Sequence, residues 1–182
     1  MYGALIYQTD FAVGWPEVVS GEQGRSAPTD GGYRFDIGPR WGHYVYTAAV
    51  TESALYAQVQ ANALACPAGD SGYGVMFHLL SADQFRYAVI TCDGGYIVRE
   101  LGQGATRTLA SGTLPAGIDP AAGPHTIGVH ALDNLVTLYV DDVQIAQVEL
   151  ADMPAGEVGP YVKTEAEGVS ILFTQLEVYQ AQ

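Results

Sequence analysis

Basic residues are scarce in this chain of 182 residues: seven Lys and Arg stand against twenty Asp and Glu, Lys163 is the only lysine, and the formal net charge is −13. An acidic field of that size repels phosphate backbones and anionic headgroups, which argues against nucleic acid as a partner. Charge of either sign is thin, at 15% of residues against roughly a quarter in ordinary soluble domains, so the surface reads as polar but mostly uncharged. Long apolar runs are missing as well. None approaches the roughly 20 residues a membrane-spanning helix needs, and the opening MYGALIYQTD has no basic region ahead of an apolar one. The expectation is a mature or excised chain with no membrane span, from which any export signal has been removed.

Helical periodicity is also absent. The run SALYAQVQANALA (53–65) has the composition of a helix, yet Leu55, Ala57, Val59, Ala61 and Ala63 alternate with Tyr56, Gln58, Gln60 and Asn62, so it reads as a long strand. No serine sits in a Gly-X-Ser-X-Gly elbow. Of the four histidines, His125 and His130 lie an odd number apart on one strand and face opposite ways, which leaves no zinc pair.

What is present is strand pattern from end to end. Gly32–Ile37 and His43–Ala49 precede the long strand. After it come three strands over Gly72–Leu101, then Ala105–Ser111, His125–Leu132, Leu135–Val140, Val143–Leu150, Glu157–Thr164 and Val169–Tyr179. Asp133-Asn134 and Asp141-Asp142 are turn formers that make a meander of three of these. About a dozen strands without a helix require two packed sheets, and residues 1–182 are the length of one β-sandwich domain.

The most legible stretch is GYGVMFHLLSADQFRYAVITCDGGYIVREL (72–101), with turns at Ser81-Ala82-Asp83 and Asp93-Gly94. Those turns place His78 opposite Arg86, Gly72 opposite Cys92 and Ala88 opposite Arg99. Val75, Phe77, Leu79, Phe85, Tyr87, Val89, Tyr96 and Val98 then form the core face, while Met76, His78, Leu80, Arg86, Ala88, Ile90, Ile97 and Arg99 share the other.

The chain has two cysteines, Cys66 and Cys92. Cys66 is separated from Gly72 only by Pro67-Ala68-Gly69-Asp70-Ser71, so the register brings both thiols to one end of the sheet. A disulfide closing about 25 residues follows, worth about 3 kcal/mol by chain entropy, and it implies an oxidising, extracellular or cell-surface setting. The alternative is two partly buried free thiols in a reducing compartment.

The order TDF, Trp15, GGYRFDI, the strand 55–62, GYGVMFHLLSADQFRYAVITCDGGYIV, HTIGVHALDNLVTLYVDDVQIAQV, GEVGPYV and VSILFTQLEVY resembles the concanavalin A-like lectin/glucanase superfamily. In particular it resembles bacterial extracellular modules of laminin-G-like and keto-disaccharide-hydrolase-like type. The resemblance implies an all-β, two-sheet antiparallel jelly roll, glycan binding on a concave face or its rim, and in many members a structural calcium ion. It also implies that a catalytic member would carry alternating acids, Glu-X-Asp-X-Glu, on one strand. This chain has none on a strand: Glu165-Ala166-Glu167 precedes Gly168 in a turn, which favours a non-catalytic role.

Glycan binding needs aromatic faces for the sugar ring and polar groups for its hydroxyls. Two candidate clusters meet that need: His78, Arg86 and Arg99 on the non-core face, and Trp41 with Tyr44 and Tyr46. The alternative is that Arg86 and Arg99 pair with carboxylates or lie across Met76 and Ile90, and that the tyrosines fill the sandwich. Trp15 is expected in the core. No cofactor is expected; calcium, if held, has Asp141-Asp142, Asp133-Asn134 and the Asp70 loop as oxygen sources. The leading expectation is a carbohydrate-binding or adhesion module whose partner is a glycan or cell-surface polysaccharide. A subunit of a surface layer or filament is second, self-associating through the apolar Tyr2–Tyr7 segment as an added strand. A glycan-active enzyme is third.

Overall fold

Alternating, turn-bounded segments become strands over most of the chain in the computed structural model, which describes residues 2–102 and 104–182. In chain order the strands are β1 (Leu5–Thr9), β2 (Val18–Val19), β3 (Gly24–Thr29), β4 (Gly32–Ile37), β5 (Gly42–Tyr44), β6 (Thr47–Glu52), β7 (Leu55–Ala65), β8 (Gly72–Ser81), β9 (Gln84–Thr91), β10 (Gly95–Gly102), β11 (Ala105–Thr113), β12 (Pro124–Leu132), β13 (Leu135–Val140), β14 (Val143–Glu149), β15 (Gly156–Lys163) and β16 (Val169–Gln180). The first sheet runs β14-β13-β12-β7-β16-β4-β3-β2, with β1 also on β16. The second runs β11-β10-β9-β8-β15-β5, with β6 also on β15. The pairings are antiparallel, so the expected two-sheet jelly roll is what forms.

The long strand β7 behaves as its alternation demands: Leu55, Ala57, Val59 and Ala61 are fully buried between the sheets against residues such as Val75, Phe77 and Val129. Asp133, Asn134, Asp141 and Asp142 all take positive φ, the conformation a two-residue turn of matching twist requires, and they close the β12–β13–β14 meander. Trp15 packs edge-on against Phe11 and Tyr33 beside the core, as expected.

Three expectations need correction. The predicted strand His43–Ala49 is two strands, β5 and β6, because Val45 turns into the core between Tyr44 and Tyr46. The Tyr2–Tyr7 segment is engaged within the chain: β1 pairs with β16, and Tyr2 stacks on Tyr56 at 3.7 Å.

The third correction is the register of the central strands. The turn after β9 holds three residues, Cys92-Asp93-Gly94. The Gly94 N–H donates to the Thr91 carbonyl (2.9 Å) and Gly94 sits at φ 85°, which glycine adopts without strain. The turn before β9 holds two, with Ser81 opposite Gln84, and His78 at φ 51° then bulges out of β8. Gly156 on β15 makes room for that bulge, since a Cβ there would lie 2.6 Å from the His78 backbone. Phe77, not His78, therefore faces Arg86; Gly72 faces Thr91, and Ala88 faces Val98. A one-residue shift turns a strand over. In β9, Ala88 and Ile90 consequently enter the core, while Phe85, Tyr87 and Val89 point away from it with Met76 and Leu79. The second shift turns β10 back, so Val98 stays inside and Arg99 outside.

Candidate functional site

The turning-over of β9 creates the site. Phe85, Tyr87 and Val89 join Met76 and Leu79 of β8 and Tyr161 of β15 in a second apolar cluster, on the outer face of the second sheet. Tyr87 and Tyr161 stack with centroids 4.3 Å apart, and Tyr44 of β5 sits 5.4 Å from Phe85. The two stacked rings are only 3% and 6% exposed, so they form a largely buried floor. Burial pushes both phenols above their ordinary value, and they remain protonated donors at neutral pH.

Over this floor opens a cleft of about 830 Å³, walled by Arg40, Trp41, Arg99, Thr106, Thr108 and Lys163 among others. Arg99 and the two threonines come from the β10–β11 hairpin. The opposite wall is three loops laced together by hydroxyls and backbone. The Thr164 hydroxyl donates to the Gly38 carbonyl (2.6 Å) and accepts from the Trp41 N–H (2.8 Å). The Ser71 hydroxyl donates to the Glu167 carbonyl (3.0 Å) and accepts from the Glu165 N–H (2.9 Å). The expected Cys66–Cys92 disulfide is formed, with Cα atoms 5.3 Å apart, and it ties the 66–71 loop to the end of β9. Asp70 on that loop receives the Lys163 ammonium at its carbonyl (2.7 Å), and Glu165 takes it at 2.8 Å. Lys163 is thus a buried, neutralised wall post.

Arg99 is held differently. Its Nε–H donates to the Thr108 hydroxyl (3.1 Å), and Nη1 lies 3.5 Å from the Tyr87 hydroxyl. Both partners are neutral.

The residues proposed from sequence separate into three groups. Arg99 and the half-exposed Trp41 line the cleft, and Tyr44 packs into its apolar floor. Tyr46 is exposed, 6.3 Å from Tyr44 and off the cleft lining. His78 and Arg86 do not join Arg99, because the corrected register puts Arg86 on the inward side of β9. They are 1% and 4% exposed and form a closed knot at the rim of the sandwich. Arg86 donates to His78 Nδ1 (3.1 Å), Glu100 (3.0 Å) and Asp152 (2.6 Å), and His78 donates through Nε2 to the Ser53 carbonyl (3.1 Å). Burial and the Arg86 charge push the His78 imidazole down to about 4, so it is neutral at physiological pH. Burial would raise the Glu100 carboxyl, but hydrogen bonds from Arg107 and Arg86 outweigh it and hold the group below its ordinary value.

Sequence reasoning missed Tyr87, Tyr161, Lys163 and Arg40. Tyr87 was hidden by the register error. Lys163 carried a signal: the only lysine of the chain closes the strand GEVGPYVK after the apolar run Val158–Val162. Of the acids considered for calcium, Asp141 accepts from His125 Nδ1 (2.7 Å) and the Thr126 N–H (2.8 Å), and Asp70 faces Lys163. Among the described residues no three His, Cys, Asp or Glu side chains are grouped to hold a metal ion.

No family model matches the chain, and no curated protein does. Solved structures do. The carbohydrate binding module CBM66 from Bacillus subtilis superposes with a TM-score of 0.70 at 16% identity, over 90% of this chain and 93% of that one. A protein of unknown function with a galectin-like fold, also from Bacillus subtilis, gives 0.72 at 10% identity over 99% and 97%. The laminarinase catalytic domain from Thermotoga maritima MSB8 gives 0.65 at 11% identity over the whole of both chains. At such identities the likeness speaks to fold, and binding modules and catalytic domains share it. The chain has the concanavalin A-like fold, a two-sheet antiparallel jelly roll.

Proposed function

We propose that this protein is a non-catalytic, extracellular carbohydrate-binding module that holds its glycan in the cleft on the outer face of the second sheet. The observation that carries this reading is the cleft itself: the half-exposed Trp41 to take an apolar sugar face, and walls rich in hydroxyl and cationic donors for sugar hydroxyls, set over a largely buried tyrosine floor. The disulfide fits an oxidising compartment, and among the described residues no helix is long and apolar enough to cross a membrane.

Against hydrolysis, the acids on the cleft wall, Asp70 and Glu165, both bear on the Lys163 ammonium. A glycosidase instead needs two carboxyl groups flanking the bond, one of them protonated. The test is a glycan-array screen of the non-reduced protein, with calcium and with chelator, and a reducing-end assay on every glycan that binds. Reproducible binding without new reducing ends supports the reading, and release of reducing ends would move the protein to the enzymes. A second reading, self-association, draws on β11, a nine-residue outer strand that is largely exposed and offers one unpaired edge. Ordered polymers in negative-stain micrographs, together with a blank array, would favour it.

A further inference from the structure

We infer that the cleft selects an anionic saccharide, a sugar bearing a carboxylate or sulfate group, and that Arg99 is the residue that receives the anion. This rests on the carbohydrate-binding reading above and adds the class of ligand to it.

The first support is where the unpaired cations lie. Five of the seven basic side chains are ion-paired: Arg25 with Glu17, Arg34 with Asp36, Arg86 and Arg107 with Glu100, and Lys163 with Glu165. Arg40 and Arg99 have no carboxylate within 4.0 Å among the described residues, and both line this one cleft. With twenty acids available to seven bases, a guanidinium without a carboxylate is the exception in this molecule. Scattered surface charge would not gather both exceptions into one cavity.

The second support is how Arg99 is held. Thr108 and Tyr87 orient the guanidinium without neutralising it, and they use fewer N–H donors than the group carries. The planar fork left over suits two oxygens of a carboxylate or sulfate. Lys163 is unlike it, since Asp70 and Glu165 already balance its charge.

The third is the field of the whole chain. With a net charge of −13, the rest of the surface repels a polyanion, so an acidic polysaccharide gains hold only where cations outnumber their local partners. Non-specific adhesion, the usual confounder with basic proteins, works here against binding.

The experiment is isothermal titration of the full, non-reduced chain with polygalacturonate, dextran sulfate and a neutral galactan, for the wild type, Arg99→Gln and Arg99→Lys. Thermal melts confirm that each variant is folded. Binding of polygalacturonate or dextran sulfate in clear preference to galactan, weakened by added salt, supports the inference, and the better of the two names the anion. Arg99→Gln should then lose roughly tenfold or more in affinity, with Arg99→Lys intermediate because it keeps charge but not the fork. Galactan bound as well as the acidic polymers, or acidic binding untouched by Arg99→Gln, overturns the anion inference and leaves the glycan cleft standing. If none of the three polymers binds and the array is blank, the carbohydrate reading falls with it.

Discussion

The β9–β10 hairpin carries an arginine on each of its faces, and the two have opposite surroundings. On the inward side, Arg86 is enclosed by His78, Glu100 and Asp152. On the outer side, Arg99 hydrogen-bonds two hydroxyls and no carboxylate among the described residues, and it opens onto a cleft. Both residues look alike in sequence, as cations in apolar strands. Their difference teaches that a guanidinium's role is read from its partners: one wrapped in carboxylate and imidazole holds the fold, and one oriented by neutral groups is left to bind.

The largest effect expected on the closed side follows Arg86→Met. Removing one partner of a buried polar set is costly, and since Glu100 keeps 25% exposure and its bond to Arg107, the loss should lie near the low end of the usual range, about 3 kcal/mol. The contact to Asp152 adds little despite its 2.6 Å length, because that carboxylate is 71% exposed. Chemical denaturation measures the loss, and a variant as stable as the wild type would show that the knot is not structural.

Removing the disulfide with Cys66→Ser and Cys92→Ser together should cost about 3 kcal/mol by loop entropy. It should also loosen the loop that presents Asp70 to Lys163, so glycan affinity should fall as well as stability. Hydrogen exchange over residues 66–71 and 164–167 would register that loosening.

The pH response sharpens the comparison. The folded value of His78, about 4, lies below the ordinary 6.5, so between those pH values the unfolded chain binds more protons than the folded one. Stability should be complete above about 6.5 and be lost as pH falls through about 4, by on the order of 3 kcal/mol. The Glu100 carboxyl, held below its ordinary value, acts in the same direction at the acid end. His78→Asn, which tolerates the positive φ of the bulge, should flatten most of this slope. A smaller slope should persist from His43 and His130, which burial also pushes down.

The smallest effect on stability belongs to the open side. Arg99→Ala should change the unfolding free energy by no more than about 0.5 kcal/mol, since it removes one hydrogen bond to Thr108 and a long contact to Tyr87 at a partly exposed site. Paired with a loss of glycan binding, that result would set Arg99 and Arg86 apart as sharply as the geometry does.

The fold was legible because its signals are local. The β7 alternation and the Asp-rich turns of the β12–β14 meander each depend on a few neighbouring residues and appear as read, and the expected disulfide forms although Gly72 faces Thr91, one residue short of Cys92. The site was only half legible because it depends on parity. The bulge at His78 beside a two-residue turn moved Arg86 inside and Tyr87 outside, and the three-residue loop at Gly94 turned β10 back; both are single-residue events. Nothing in the HLLSADQ segment by itself marks the bulge; it requires Gly156, more than seventy positions away, to make room. Arg99 and Trp41 survived because two successive shifts restored β10 and because Trp41 precedes its strand.

The most direct test of the cleft is a titration of isotope-labelled protein with an acidic oligosaccharide such as a galacturonate oligomer, followed by nuclear magnetic resonance. The account predicts that the shifted signals cluster on the Trp41 indole, the Arg99 side chain and the 163–166 backbone, with Arg86 and His78 unmoved. Shifts centred on the first sheet around Gln58 of β7, which donates to the Glu177 carboxylate of β16 (2.6 Å), or on the Arg86 knot, would contradict it.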